Sequence, residues 1–322
     1  MIDGVSRRVV LTGALAPVLA GLAGCSGDDW RTVSTTDLTV ASGNPGGVFA
    51  RYGDALATVL GRELVGVTAE TRLTDASVEN LRLVADGAAD IGLSLGDAAS
   101  DAVRGTGEFT ARLDVVALTR TYDSFVHLVV RGDSPIRRVR DLRGQRVGMG
   151  AVGSGTRVVA ERILRLSGLR GGQVQISERA LQEDADALAG GDLDAFFFVS
   201  GLPNDAVHQL GRRTPIRLIP LQDLVEAMVR HHGPEYVSGP IPASTYGLTA
   251  SAGTVSIKNY VVVHASMDEE LAYAVTRVVF EAQDAIDALA PGVRQPNIAA
   301  AIFTSPLELH QGAVRYFRER RG

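Results

Sequence analysis

The sequence predicts an α/β fold of two lobes, each a mainly parallel sheet flanked by helices, with the lobes joined by two crossovers. Three observations carry that prediction. Strand-like and helix-like runs alternate along most of the chain. The order strand, glycine-rich loop, helix, strand, helix, strand occurs twice. Each copy passes through a Gly/Asp turn before its last strand, Gly87-Ala88-Ala89-Asp90 in the first and Gly191-Asp192-Leu193-Asp194 in the second. The copies are of one size, with 47 residues from Gly43 to Asp90 and 44 from Gly150 to Asp194.

In the first copy, Leu38-Thr39-Val40-Ala41 reads as a strand. The loop Ser42-Gly43-Asn44-Pro45-Gly46-Gly47 follows, then an apolar-faced helix from about Val48 to Leu60 and a strand from about Val65 to Thr71. The next helix aligns Val78, Leu81, Val84, Ala85 and Ala88, with Ser77 as N-cap and Glu79 at the positive end, before the strand Ile91 to Leu95. In the second copy, a strand from Arg146 leads into the loop Gly150 to Gly155. A helix aligning Val159, Ile163 and Leu166 comes next, followed by a strand near Val174 to Ser177, a helix through Leu188 and the strand Ala195 to Val199. Leu113 to Arg120 and Phe125 to Arg131 are further strands, so Thr121-Tyr122-Asp123-Ser124 is the expected first crossover. The return is expected near Ser238-Gly239-Pro240-Ile241-Pro242. After the strand Thr254 to His264, Ser266 and Glu269 fit a capping box opening a long helix that packs back on the first lobe.

In sheets of this kind, ligands sit at the carboxyl ends of the strands. Each glycine-rich loop leads there into a helix N-terminus, whose free N–H groups and dipole favour an anion. Two such lobes face one another across a cleft with two anion-friendly walls.

The N-terminus reads as an export signal. Arg7 and Arg8 precede an apolar run from Val9 to Ala23 that is short for a membrane span and ends in Leu22-Ala23-Gly24-Cys25. That ending resembles a bacterial lipobox, with Cys25, the single cysteine of 322 residues, as the lipidation site. Ser6-Arg7-Arg8-Val9-Val10-Leu11 also resembles a twin-arginine signal, and both routes lead out of the cytoplasm. The expected division is signal 1–24, tether 25–37, lobe 1 from 38–122 plus 243–322, and lobe 2 from 123–242. Removing the signal takes the formal charge from −5 to −6, and with 5% aromatic residues this speaks against nucleic acid. No cofactor and no metal are expected, because His127, His208, His231, His232, His264 and His310 fall into no metal spacing.

Several stretches together resemble the TAXI family, solute-binding proteins that serve TRAP transporters. They are Ser42 to Phe49, Ser77-Val78-Glu79-Asn80-Leu81-Arg82, Val126-His127-Leu128-Val129-Val130-Arg131, Gly153-Ser154-Gly155-Thr156, Asp194-Ala195-Phe196-Phe197 and Ile241-Pro242-Ala243-Ser244-Thr245-Tyr246. The resemblance implies a two-lobed periplasmic-binding-protein fold, type II-like, closing around a small carboxylate such as glutamate or a dicarboxylate. It also implies a TRAP-type membrane permease as partner, for a lipid-anchored extracytoplasmic monomer that is not an enzyme. Asn44-Pro45 and Phe49 depart from the family's usual residues.

On this basis the amides of Gly46 and Gly47 and the loop Gly153, Ser154, Gly155 and Thr156 are the expected carboxylate holders, with the hydroxyls of Ser154 and Thr156 adding donors. Gly43, Asn44, Val48, Phe49, Asn80 and Tyr246 are expected to shape the pocket, and Gly201 and Pro203 to open the loop after the last strand. Turn geometry alone is the alternative for the glycines, and core packing for Phe49 and Tyr246. Other readings stay open at this point. Gly92-Leu93-Ser94-Leu95-Gly96 matches a hydrolase nucleophile elbow, and Gly148-Met149-Gly150-Ala151-Val152-Gly153 with Glu178 matches a dinucleotide fingerprint. A sensor kinase is the alternative partner.

Overall fold

The computed structural model describes residues 30–170 and 172–320. The expected signal and Cys25 lie outside the described residues.

The first copy forms β1 (Thr32–Ala41), α1 (Val48–Glu63), β2 (Val65–Arg72), α2 (Ser77–Ala85) and β3 (Ile91–Leu95), followed by α3 (Gly96–Arg104) and β4 (Val115–Arg131). The second forms β5 (Arg146–Gly148), α4 (Gly155–Leu166), β6 (Gln175–Ser177), α5 (Leu181–Gly190) and β7 (Ala195–Ser200). Next come α6 (Asp205–Arg213), β8 (Ile216–Leu218), α7 (Val225–His232), β9 (Tyr236–Ile241), α8 (Ala243–Tyr246) and β10 (Ala252–His264). The chain continues through α9 (Glu269–Glu281), α10 (Gln283–Leu289) and α11 (Gln311–Glu319). Among the described residues, no helix is long and apolar enough to cross a membrane.

The strands make one mixed sheet in the order β2-β1-β3-β10-β4-β7-β5-β6, with β8 added to β4 and β9 to β10. The outer pairs β1–β2, β1–β3, β5–β6 and β5–β7 are parallel, as the alternating pattern predicts. All five residues of β3 are buried, which fits a strand covered on both faces. One apolar core joins α1, α9, α10 and α11 to the first-lobe strands, and another gathers α4, β5 and part of β7.

Two long strands serve both lobes. β4 pairs through Val115–Arg120 with the end of β10, and through Phe125–Val130 with β7. The expected break at Thr121 to Ser124 is therefore continuous strand, because Asp123 and Ser124 find ladder partners in Lys258 and Ile257. Ser238 to Ile241 lies within β9, in a hairpin with β10. The chain then passes between the halves of the sheet along β10, whose start pairs with β9 and whose end pairs with β3. The β10–β4 register shifts between Lys258 and Tyr260, and Asn259 bridges the gap. Its Nδ2 donates to the Tyr122 carbonyl at 2.8 Å and to the Ser124 hydroxyl at 3.0 Å.

Two boundaries differ from expectation. β1 starts at Thr32 and pairs with β2, so residues 32–37 belong to the sheet rather than to a tether. The helix expected from Ser266 starts at Glu269. Asp268 caps it by accepting from the Leu271 amide at 3.0 Å, while the Ser266 hydroxyl is engaged with His264 Nδ1 at 2.7 Å.

Candidate functional site

Three helices begin at the boundary between the lobes. Gly47, Val48 and Phe49 at the start of α1, Ala76 and Ser77 at the start of α2, and Gly155 and Thr156 at the start of α4 surround one small cavity. Leu95 from the end of β3, Phe198, Val199 and Ser200 from the end of β7, and Asn44 complete the wall. The space between them is ≈ 20 Å³, room for about one water, so the lobes meet closely here. No charged side chain lines it. Amides, hydroxyls and helix dipoles are therefore the groups this wall offers, and a helix dipole contributes about 0.3–1 kcal/mol toward a negative charge, up to about 2 where partly buried.

Hydrogen bonding sorts the expected donors. The Gly47 amide donates to the Asn44 carbonyl at 3.0 Å, so it is not open to a ligand, and the Gly46 carbonyl accepts from Asn204 Nδ2 at 3.3 Å. The first-turn amides of α1, from Val48 onward, have no intrahelical acceptor and are the better candidates on that side. On the opposite wall the Ser154 hydroxyl accepts from the Arg157 amide at 3.1 Å and caps α4. This leaves the amides of Gly155 and Thr156 as first-turn donors. The Thr156 hydroxyl accepts from the Val199 amide at 3.1 Å, which ties α4 to β7. Gly155 is packed so closely that a Cβ there would lie 2.6 Å from Leu95 Cδ1 and 2.7 Å from Ser77 Oγ, both in the opposite lobe.

Other expected pocket residues act from behind the wall. Asn80 is fully buried, donating to the carbonyls of Ser42 and Leu93 at 2.7 Å each and accepting from the Thr74 hydroxyl at 2.6 Å. Its amide pins the loop before α1 to β3 and is spent. Gly43 sits against Phe49, where a Cβ would approach Phe49 Cβ to 2.8 Å. Gly153, at φ +83°, turns the loop without lining the cavity. Gly201 packs on Tyr122 and Val48, and the Pro203 carbonyl accepts from Arg51 at 3.0 Å. Asn44 lines the cavity and spans to Thr74 and Asp75.

Tyr246 is buried and does not line the cavity. His127 Nδ1 lies 2.9 Å from the Phe125 carbonyl, an acceptor only, so Nδ1 carries the proton. His127 Nε2 then accepts from the Tyr246 hydroxyl at 2.9 Å, and that hydroxyl accepts from the Asn204 amide at 3.0 Å. Burial pushes the His127 imidazole down to about 4, which keeps it neutral. The chain of bonds fixes Asn204, whose side chain caps α6 through the Val207 amide and reaches across to Gly46.

Sequence reasoning missed Asn204, Arg51 and Ala76. Asn204 carries a readable signal, an N-cap residue before an apolar turn. Arg51 of α1 pairs with Asp205 of α6 at 3.3 Å across the lobes, and nothing local points to it. Ala76, the N-cap of α2 where Ser77 was expected, holds φ +77°, a strained state for a residue with a side chain. Ser77 instead accepts from the Leu95 amide at 3.0 Å.

The competing motifs find no matching site. Ser94 is fully buried with its hydroxyl donating to the Leu95 carbonyl at 3.0 Å, not to a histidine. Gly148 is capped by the Asp184 carboxylate, 2.3 Å from where a Cβ would lie, and Glu178 is paired with Arg157 at 2.7 Å. Among the described residues no group of three or more His, Cys, Asp or Glu could hold a metal ion. A larger groove of ≈ 640 Å³, lined by Met149, Leu164, Ile176 and Arg157, lies along α4 and β6. It touches only one lobe, whereas the small cavity collects elements of both.

The architecture has counterparts among solved structures. A binding protein component of an ABC phosphonate transporter from Pseudomonas aeruginosa aligns with a TM-score of 0.56 at 10% identity, over 89% of this chain and 95% of that one. PhnD1 from Prochlorococcus marinus, in complex with methylphosphonate, aligns with a TM-score of 0.55 at 10% identity, over 81% and 92% of the two chains. A Xanthomonas citri protein bound to a chloride ion aligns at 0.51 and 13% identity, over 88% and 99%. At such identities the likeness is one of fold, the two-lobed α/β fold of periplasmic binding proteins. A family model matches residues 40–320, nearly the whole described chain, and on that match the protein belongs to the NMT1-like family.

Proposed function

We propose that the protein is an extracytoplasmic solute-binding protein that captures a small carboxylate, glutamate-like or a dicarboxylate, between its lobes and delivers it to a membrane transporter. The observation that carries this reading is the convergence of three helix N-termini, from both lobes, on one uncharged closed cleft. In this reading lobe 1 runs from β1 to residue 122 and resumes in the second half of β10, and lobe 2 runs from 123 to the first half of β10 rather than ending at 242, because Tyr246, Ala252, Val255 and Ile257 pack with second-lobe residues. Ligand contacts to both lobes favour closure. Cys25 carries a lipid that holds the protein at the outer face of the membrane. Calorimetry of protein stripped by unfolding and refolding, against glutamate, glutamine, 2-oxoglutarate and C4-dicarboxylates, tests the ligand class. Heat with methylphosphonate alone would replace carboxylate by phosphonate, and heat with neutral sugars alone would remove the anion.

The TAXI resemblance favours a TRAP permease as partner. The fold likeness to an ABC phosphonate transporter component supports an ABC permease as a second reading. Uptake abolished by collapsing the ion gradient at constant ATP supports the first, and uptake abolished by depleting ATP at a constant gradient supports the second.

A further inference from the structure

Away from the cavity, the lobes meet through charge. Asp97 and Asp101 stand on α3, which follows β3 in the first lobe, and Arg162 stands on α4, which follows β5 in the second. Arg162 Nη1 donates to Asp97 Oδ2 at 3.0 Å and to the Tyr236 hydroxyl at 2.7 Å, and Nη2 donates to Asp101. Tyr236, at the start of β9, donates its own proton to Asp97 Oδ2 at 2.6 Å. The second Asp97 oxygen accepts from the Ala98 amide at 2.8 Å. Arg162 is 4% exposed, and Asp97 and Tyr236 are 1% exposed. One turn earlier on the same face of α4, Val158 joins the apolar cluster that includes Ala98, Ala99 and Ala102 of α3.

None of these four polar residues lines the cavity. We propose that Arg162, Asp97 and Tyr236 form a latch that holds the lobes closed without a ligand, so that a solute enters only after the latch opens. The proposal deepens the solute-binding reading by naming what opposes opening.

Burying an ion pair is costly unless its geometry is good and its remaining atoms are satisfied. Here both conditions hold, because each half is assembled on its own lobe. The Ala98 amide orients Asp97 on α3, and the Tyr236 hydroxyl meets Arg162 within the second lobe. Closure joins two ordered groups, and a planar guanidinium with fixed partners loses little freedom in doing so. Opening separates the ions and takes the buried Val158 out of the apolar cluster it shares with α3. Because ligand must wait for the open state, the open fraction scales both the association rate and the apparent affinity.

The test reads the lobes directly. In the full chain with Cys25→Ser, Arg62→Cys on α1 and Arg143→Cys ahead of β5 place one spin label on each lobe, both at exposed positions. Pulsed dipolar spectroscopy on dialysed protein, with no solute added, should give one short interlobe distance. Arg162→Met should add a longer distance, with the open fraction rising from about a tenth or less to about half. Arg162→Met leaves Asp97 buried and unpaired, so Arg162→Met with Asp97→Asn is measured beside it as the neutral pair, with circular dichroism to confirm folding. A long or split distance in the unsubstituted background overturns the latch, and so does a single short distance in the folded double variant. No ligand enters the measurement, so silence of every solute in calorimetry would count against the proposed function and leave this result readable.

Discussion

In the first lobe the glycine loop turns its hydrogen bonds inward, with the Gly47 amide on the Asn44 carbonyl and no side chain capping α1. In the second, Ser154 caps α4 with its hydroxyl, and Gly155 is pressed against Leu95 and Ser77 of the facing lobe. The two loops open similar modules and share glycines and small residues, yet one is braced by its own backbone and the other by a side chain and a tight approach. A repeated motif thus specifies where a helix starts and leaves open which of its amides face a ligand.

The strongest way to break this contrast is Gly155→Ala. The buried Leu95 and the bonded Ser77 have little room to yield, so a Cβ costs about 1–3 kcal/mol of overpacking, borne by the closed state. Small-angle scattering should show a larger radius of gyration with an unchanged circular dichroism spectrum. An unchanged radius would mean that the second loop does not set closure.

His127 probes the bonds that fix the loop facing Gly46. Its folded value near 4 lies below the ordinary 6.5, so the unfolded chain takes up a proton that the native state refuses. Stability is therefore full above pH 6.5 and falls between 6.5 and 4, by on the order of 3 kcal/mol for this shift. Denaturant melts at pH 7 and pH 4.5 should show His127→Gln with a shallower loss than the unsubstituted protein. Equal losses would remove His127 from the pH response.

Ser154→Ala should cost about 1 kcal/mol in the same melts through loss of the cap, and a neutral result would show another group capping α4. Gly47→Ala should cost about 1 kcal/mol or less, since its φ is in the ordinary range and Phe198 Cζ would lie at 3.6 Å, while a Cβ at 3.1 Å from the Asn44 carbonyl oxygen requires that turn to give by a few tenths of an ångström. A loss as large as that of Gly155→Ala would make the two loops equivalent after all.

The comparison also shows what is legible without coordinates. The modules, the parallel outer strands and the glycine loops leading into α1 and α4 follow from periodicity and turn residues, which act over a few positions. The crossing strands were harder to read. Thr121 to Ser124 looks like a break because its residues are polar, but β10 supplies the missing ladder partners from more than a hundred positions away. Asn80 and Tyr246 are expected in the pocket because they are polar and fall in stretches that carry the TAXI resemblance, and both are engaged instead with distant carbonyls, amides or a histidine.

By itself, then, the sequence determined the α/β alternation, the duplication and the places where helix N-termini meet the strand ends, since these depend on local periodicity and capping. Only the tertiary structure decided which of those groups remain free, that Asn204 and Arg51 reach across the boundary, and that Arg162 meets Asp97. A polar group takes the partner that folding brings within hydrogen-bonding distance, and for these residues that partner lies between 65 and 158 positions away along the chain.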